Sequence, residues 1–403
     1  MNSAVPYLDL ADTAFDVTSD TVHRAQQDSW YAETPYGWAV LRYEEGTALL
    51  KDRRFRQGNA QWPDQNGIHD GPWREWWQET LLSLEGVDHL RLRRLLGPAF
   101  RNKTIEAMRP QFQALANELI DGFARPDADG WCRVEFVSQF AEPYASRILC
   151  LLLGLPDEQW PQVAHWADDL GKSFGINVRR DLPRIEAALE GLTGYIEEVI
   201  ADRQVNPRDD LVTALVTAQE EGESLSRREL SVALVFLAFA GMETTRNQLG
   251  LALQTLLAYP DQWALLGARP ELGARAVEEV MRVNPTVTWV TREAVEDVDL
   301  NGLHVREGGI VQVLSHAIGT DPRAMVDHVG FDITVDDRPP HSGFGGGIHH
   351  CLGHFVARTD MSVALPLLAA RMPDAEPDGL GEWLPVSGNT GPIRFPIRFR
   401  PAE

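Results

Sequence analysis

The stretch Phe344-Gly345-Gly346-Gly347-Ile348-His349-His350-Cys351-Leu352-Gly353 constrains this chain more than any other. It sets one cysteine in a glycine-rich turn, just ahead of an apolar run, Phe355-Val356-Ala357, that can open a helix. A thiolate there stands near a helix N-terminus, where free backbone N–H groups and the helix dipole favour negative charge. The glycines let a flat group come close to the backbone. A plain structural cysteine leaves the four glycines and two histidines around it unexplained. A zinc cage needs about four protein ligands with paired spacing. His349, His350 and Cys351 are too close together to close a tetrahedron, and no second ligand pair lies nearby.

The run resembles the haem-binding signature of the cytochromes P450, F-x-x-G-x-H-x-C-x-G, at every fixed position. The resemblance implies haem b (iron protoporphyrin IX) bound with Cys351 as the axial metal ligand, in a loop shaped by Phe344, Gly347 and Gly353. It also implies that His349 reaches a haem propionate. Thiolate ligation favours O–O cleavage on a haem, so the implied enzyme is a haem-thiolate monooxygenase. The implied fold is that of the family, mainly α with small β-sheets, and the resemblance covers nearly the whole chain.

A second signal is Phe236-Leu237-Ala238-Phe239-Ala240-Gly241-Met242-Glu243-Thr244-Thr245. Glycine inside a helix costs about 1 kcal/mol relative to alanine, and an acid in an apolar stretch costs more unless paired or used. Two local penalties together mark a site. Thr244 can turn its hydroxyl back to the Ala240 carbonyl, which bends a helix and opens room. A bland Thr-Thr pair at a helix break is the competing reading. The run resembles the family's A-G-x-[DE]-T-T segment, which implies that Thr244 hydrogen-bonds dioxygen and Glu243 helps deliver protons. A gas-sensing haem protein without turnover needs no such acid–hydroxyl pair.

Glu279 and Arg282, three apart, share a helix face. Such pairs are common on surfaces and worth little there; the family's E-x-x-R is a buried structural pair at this place. His89 and Arg93, one turn apart, match the family's H-x-x-x-R and are implied propionate partners, as is Arg292. Gly86-Val87-Asp88 lacks the proline usual before that histidine, and His354-Phe355 replaces a commoner small-residue start to the last long helix.

Length alone suggests two or three domains for 403 residues. No Pro/Ser/Gly-rich linker or charge block divides the chain, and residues 1–403 read as one domain. Apolar residues at helical spacing predict helices over Phe112–Phe123, Leu182–Asp202, Arg227–Leu257 and Leu272–Arg282. Strands are predicted at Tyr36–Leu41, within Val298–Gln312 about an Asn301-Gly302 turn, and at Pro392–Arg400.

The three cysteines, Cys132, Cys150 and Cys351, are too few and scattered for a disulfide framework. Met1–Asp20 has no basic start and no long apolar run, so no signal peptide is expected, and Val232–Gly241 is too short to span a bilayer. A cytoplasmic protein is expected. A formal net charge of −22 disfavours nucleic acid and anionic membranes as partners. Against it, Arg91, Arg94, Arg101 and Lys103 form a local basic run. It reads as a solvated helix face or as a docking patch for an acidic ferredoxin, which a ferredoxin reductase would supply with electrons.

The family's substrate-facing segments fall on the Arg56–Gly86 loop, the central helix with Ala240, the stretch Val283–Thr291 and the loop Val386–Pro392. Gly86 and Val287 are expected to line the pocket. Gln65, Asn284, Thr288 and Ser387 are expected to bind polar edges of a small aromatic or apolar natural product. Trp62, Trp73, Trp76 and Trp77 either pack the lid or stack on a flat substrate. The segment around Trp62-Pro63-Asp64-Gln65-Asn66-Gly67 resembles P450s that couple tryptophan-containing diketopiperazines through an indole radical. The alternative is hydroxylation or epoxidation of a polyketide, terpenoid or other secondary metabolite.

Overall fold

The computed structural model describes residues 5–175, 177–220, 225–326, 330–385 and 387–401. Helices follow the apolar spacing. Phe112, Ala116, Ile120 and Phe123 line one face of a helix over Arg109–Phe123 and are all buried. The Leu182–Asp202 pattern extends to Val178–Val205. The site is framed by α1 (Gly86–Leu96), α2 (Glu142–Leu153), α3 (Trp160–Gly171), α4 (Arg227–Ala240), α5 (Met242–Leu257), α6 (Gly273–Val283) and α7 (His354–Arg371).

The single helix predicted over Arg227–Leu257 is divided into α4 and α5 at Gly241. Its start is fixed by a capping box: the Ser226 hydroxyl accepts from the Glu229 N–H, and the Glu229 carboxylate accepts from the Ser226 N–H. Every residue from Leu230 to Phe239 is buried. A helix apolar all round belongs inside a core, and α4 and α5 pack against α2 and α3, with α5 also against α6 and α7.

Beside the helices lies a sheet of β1 (Tyr31–Thr34), β2 (Gly37–Val40), β3 (Phe55–Arg56), β4 (Trp289–Ala294) and β5 (Ile310–Leu314) in the order β1-β2-β5-β4-β3. Only β2 and β5 run parallel, with Trp38 opposite Val311, which in turn faces Arg292 on β4. This pairing carries Arg292 to the site. The predicted turn is present between Val298–Leu300 and Leu303–Val305. Asn301 and Gly302 both have positive φ (43° and 92°), as a tight two-residue hairpin requires. The predicted closing strand is instead two pieces in two sheets, Pro392–Arg394 and Pro396–Phe399. They separate at Phe395, whose N–H donates to the Glu135 side chain at 2.7 Å.

His316, in the short helix Ser315–Gly319 after β5, makes the fold acid-sensitive. It is 8% exposed, and its ring Nδ1 lies 2.5 Å from the Val283 carbonyl, to which it donates. Burial pushes its pKa down from 6.5 to about 4. Unfolded chains therefore bind more protons than folded ones between those values, and stability falls as pH drops through that window. Above about pH 6.5 the contribution is complete. Urea unfolding at pH 5 and pH 7 should show a smaller difference for His316→Gln than for the unaltered protein.

Candidate active site

The cysteine loop is a closed turn. The Cys351 N–H donates to the Phe344 carbonyl at 2.9 Å, and the Gly345 N–H to Ser342 at 2.7 Å. Gly347 has φ +69°, and a side chain there would place its Cβ 2.5 Å from the Leu50 carbonyl oxygen. Conformation and space thus both demand glycine. Gly353 caps α7, and its N–H points at the Cys351 sulfur. Phe344 is buried under the Arg358 guanidinium, 4.4 Å from the ring centroid.

Burial pushes the Cys351 thiol up, opposed by the Gly353 N–H and by the charges of Arg93 and Arg358. Cys351 stays half-buried, whereas Cys132 and Cys150 are fully buried. Burial raises Cys150 to about 12, which leaves it an inert thiol.

Basic groups gather around this loop. Arg93 on α1 donates to the His350 carbonyl. Arg292 donates to the Gly346 carbonyl at 3.0 Å and to the Gln57 side chain. Burial lowers both arginines, Arg292 to about 10. Among the described residues neither has a carboxylate in ion-pair contact.

His89 is fully buried with both ring nitrogens unpartnered among the described residues, and its ring lies 4.1 Å from that of His349. Burial takes His89 down to about 4. The His349 Nε2 is 3.1 Å from a Glu85 oxygen but off the line of a hydrogen bond. Buried cations and unfilled donors are costly. Two carboxylates placed among them would relieve both, and haem carries two. The four side chains fit that group, beside a sulfur fit to ligate its iron.

Glu279 and Arg282 are each 2% exposed and form a bidentate pair at 2.8 Å. A third member, Arg338, also reaches Glu279, at 2.8 Å. It lies in an irregular Pro-rich segment with no periodic signal, and sequence reasoning missed it. The Asp332 N–H donates to Glu279 at 2.9 Å, and Arg282 donates to the Gly319 and Gly330 carbonyls. This network ties α6 to the segment leading into the cysteine loop.

At the break between α4 and α5 the Thr244 hydroxyl donates to the Ala240 carbonyl at 2.9 Å, as its position predicts. The run of buried residues ends here: Ala240, Gly241, Glu243 and Thr244 are half-buried. Glu243 lies 3.8 Å from Arg246, and its Oε2 has no hydrogen-bond partner among the described residues. Burial raises its pKa, and Arg246 opposes the rise. The carboxylate rests on Gly171 at the end of α3, where a methyl group would overlap it.

The expected substrate contacts fare differently. Gln65 is exposed on the short helix Trp62–Gln65, and Gly86 is exposed at the start of α1 with φ +59°. Asn284 donates to Thr255 at 3.0 Å, Thr288 to the Ser387 carbonyl, and Ser387 to the Asn389 carbonyl at 2.7 Å. Thr288 thus ties the Val283–Thr291 stretch to the late loop, and Asn284 ties it to α5. Val386, at the start of that loop, lies outside the described residues. Val287 is half-buried, as Ala240 is.

The Arg56–Gly86 segment is partly helical, over Trp62–Gln65 and Pro72–Glu79. Trp73, Trp76 and Trp77 are buried in the main core. The indole N–H of Trp73 donates to Ser173 Oγ, that of Trp62 to the Ser173 carbonyl, and that of Trp77 to Asn59. These rings pack the lid.

A family model, Cytochrome P450, matches residues 271–371. The luteothin monooxygenase of Streptomyces thioluteus is 36% identical over 397 residues, covering 98% of this chain and 96% of that protein. The chain belongs to the cytochrome P450 family. This P450 is also 34% identical to the mycinamicin IV hydroxylase/epoxidase of Micromonospora griseorubida, over 90% of each chain. Its fold matches the crystal structure of CalO2 with a TM-score of 0.87 at 32% identity, covering 97% of this chain and 100% of that one. The P450 is therefore a monooxygenase that carries haem b. No helix among its described residues is long and apolar enough to cross a membrane.

Proposed function

We propose that this P450 inserts one oxygen atom into a small apolar natural product of bacterial secondary metabolism, by hydroxylation or epoxidation. The observation that carries this reading is the Glu243–Thr244 pair at the α4–α5 break, a half-buried acid whose Oε2 has no hydrogen-bond partner among the described residues, next in sequence to a hydroxyl. A ligand sensor has no use for a proton donor there. The relatives named luteothin monooxygenase and mycinamicin IV hydroxylase/epoxidase supply the substrate class.

Haem held by a thiolate supplies dioxygen activation. In the proposed scheme Cys351 would provide the sulfur, its anionic form favoured by the Gly353 N–H and the nearby arginines against the opposing effect of burial. His89, Arg93, Arg292 and His349 hold the two haem carboxylates. Phe344 and Gly347 shape the loop. Thr244 fixes a proton at its hydroxyl beside the opening, and Glu243 replaces protons that are consumed. Ala240 and Val287 offer apolar wall to the substrate. Asn284, Thr288 and Ser387 act by holding the wall segments together, since their polar atoms are engaged with protein.

Electrons would arrive from a ferredoxin and its reductase at the outer side of α1. There Arg94, Arg101 and Lys103 are exposed around Val87 and Leu90, which are 81% and 54% exposed. Arg91 is held by Glu229 and Asp88.

Coupling of tryptophan cyclodipeptides has less support, because the half-buried Trp62 donates its indole N–H to the Ser173 carbonyl and Trp73, Trp76 and Trp77 are packed into the core. One experiment separates the readings. Polyketide, terpenoid and cyclic tryptophan-dipeptide panels are titrated into ferric protein and scored for a shift toward high spin. The binders are then turned over with NADPH, a surrogate ferredoxin and reductase under ¹⁸O₂. A product carrying one ¹⁸O atom supports the proposal. A coupled product without added oxygen contradicts it.

A further inference from the structure

Beside Glu243 lies a small cleft lined by Glu142, Ser146, Asp168, Met242, Glu243 and Arg246. Its free space holds about one water molecule. Arg246 stands among three carboxylates: 3.0 Å from Asp168, 3.7 Å from Glu142 and 3.8 Å from Glu243. The side chain of Glu142 on α2 is 33% exposed, whereas that of Glu243 is 11% exposed. The cleft thus leads from a carboxylate that meets solvent to one that does not.

The three acids are not equivalent. Burial works against the Asp168 carboxylate, but Lys172 and Arg246 hold it below the usual range. Lys172 itself is shared with Asp169, which also holds Arg184 from the helix over Val178–Val205. Glu142 is raised by burial, with Arg246 opposing and Asp168 and Glu135 adding to the rise. Glu243 is raised by burial too, again against Arg246. Asp168 is therefore held as a charge, while burial favours the protonated form of both Glu142 and Glu243.

We propose that Glu142 is the solvent-side relay of a proton inlet to Glu243, with Arg246 setting the spacing of the two carboxylates about one water. Each proton that Glu243 gives up toward Thr244 is replaced from that water. The water takes one from Glu142, and Glu142 takes one from bulk solvent. One proton crosses per relay step, two for each oxygen atom inserted, and the inlet is restored after each. Glu142 acts only through Glu243, as a positioning and relay residue. The inlet rests on the reading of Glu243 as proton donor given above.

The test compares Glu142→Gln, Glu142→Asp and Glu243→Gln as haem-loaded proteins. Infrared spectra of the ferric protein, taken at a pH low enough to protonate Glu243, identify its carboxyl band as the one lost in Glu243→Gln. Its hydrogen–deuterium exchange on transfer to D₂O is then timed, a readout that needs no turnover. In Glu142→Gln that exchange should slow about tenfold, and turnover should fall about tenfold with a larger solvent isotope effect. This is less than the ~10²-fold expected for a group acting directly. Glu142→Asp should recover most of both.

Unchanged exchange in Glu142→Gln, with Glu243→Gln impaired, overturns the inlet and leaves Glu243 in its role. A loss in Glu142→Gln that the aspartate does not rescue, with exchange unchanged, marks a structural role and also overturns it. Normal turnover in Glu243→Gln removes the donor and the inlet together.

Discussion

Glu279→Ala should yield a chain that fails to retain haem and unfolds more readily by about 3–5 kcal/mol, the cost of removing one partner from a buried ion pair. The size follows from what is left behind. Arg282 and Arg338 both rest on the Glu279 carboxylate, and the Asp332 N–H donates to it. Without it Arg282 and Arg338 both lose the carboxylate they share. The segment carrying Arg338 and Asp332 loses its hold on α6, and it runs directly into the cysteine loop. Haem content per chain, measured against unfolding in urea, checks this. A stable variant with full haem content would show that the triad does not organise the loop.

Thr244→Ala should uncouple the enzyme. The hydroxyl is the polar group at the opening, and its bond to the Ala240 carbonyl holds the bend between α4 and α5. Its loss removes the proton held at the Thr244 hydroxyl, so product formation should fall on the order of 10²-fold, the lower range for a positioned acid–base group. NADPH consumption should persist, with the electrons recovered as hydrogen peroxide. Thr244→Ser keeps the hydroxyl and should keep most of the coupling. Equal product per NADPH in Thr244→Ala and the unaltered protein would contradict the role.

The two chemistry-bearing motifs were legible in sequence for a physical reason: each breaks local rules. Gly347 sits at positive φ against the Leu50 carbonyl, and Gly241 with Glu243 interrupts an apolar helix. Such penalties mark positions where function overrides propensity. The amphipathic helices were legible through periodicity, and the Asn301-Gly302 turn through its backbone demand.

What escaped has no local signature. β1 and β3 are four and two residues long and depend on distant partners. The closing strand reads as one in sequence, yet the Phe395 N–H is taken by Glu135, far off in the chain, and the strand changes sheets there. Arg338 becomes a triad member only when an irregular segment folds over α6. The polar residues expected at the substrate illustrate the same limit. Asn284, Thr288 and Ser387 lie in the expected segments, but they donate to other protein groups, Thr255, the Ser387 carbonyl and the Asn389 carbonyl. Likewise the lid tryptophans look like a stacking platform in sequence, and only the positions of Ser173 and Asn59 show that the core claims them.

The central claim is that the Cys351 sulfur, as a thiolate, would hold the haem iron. Its most direct test is the absorption spectrum of the dithionite-reduced protein under carbon monoxide. Thiolate ligation predicts a Soret band displaced well to the red of the position given by imidazole- or thiol-ligated haem, and its loss in Cys351→Ser. A native, substrate-free protein that shows only the imidazole-type band would contradict the account.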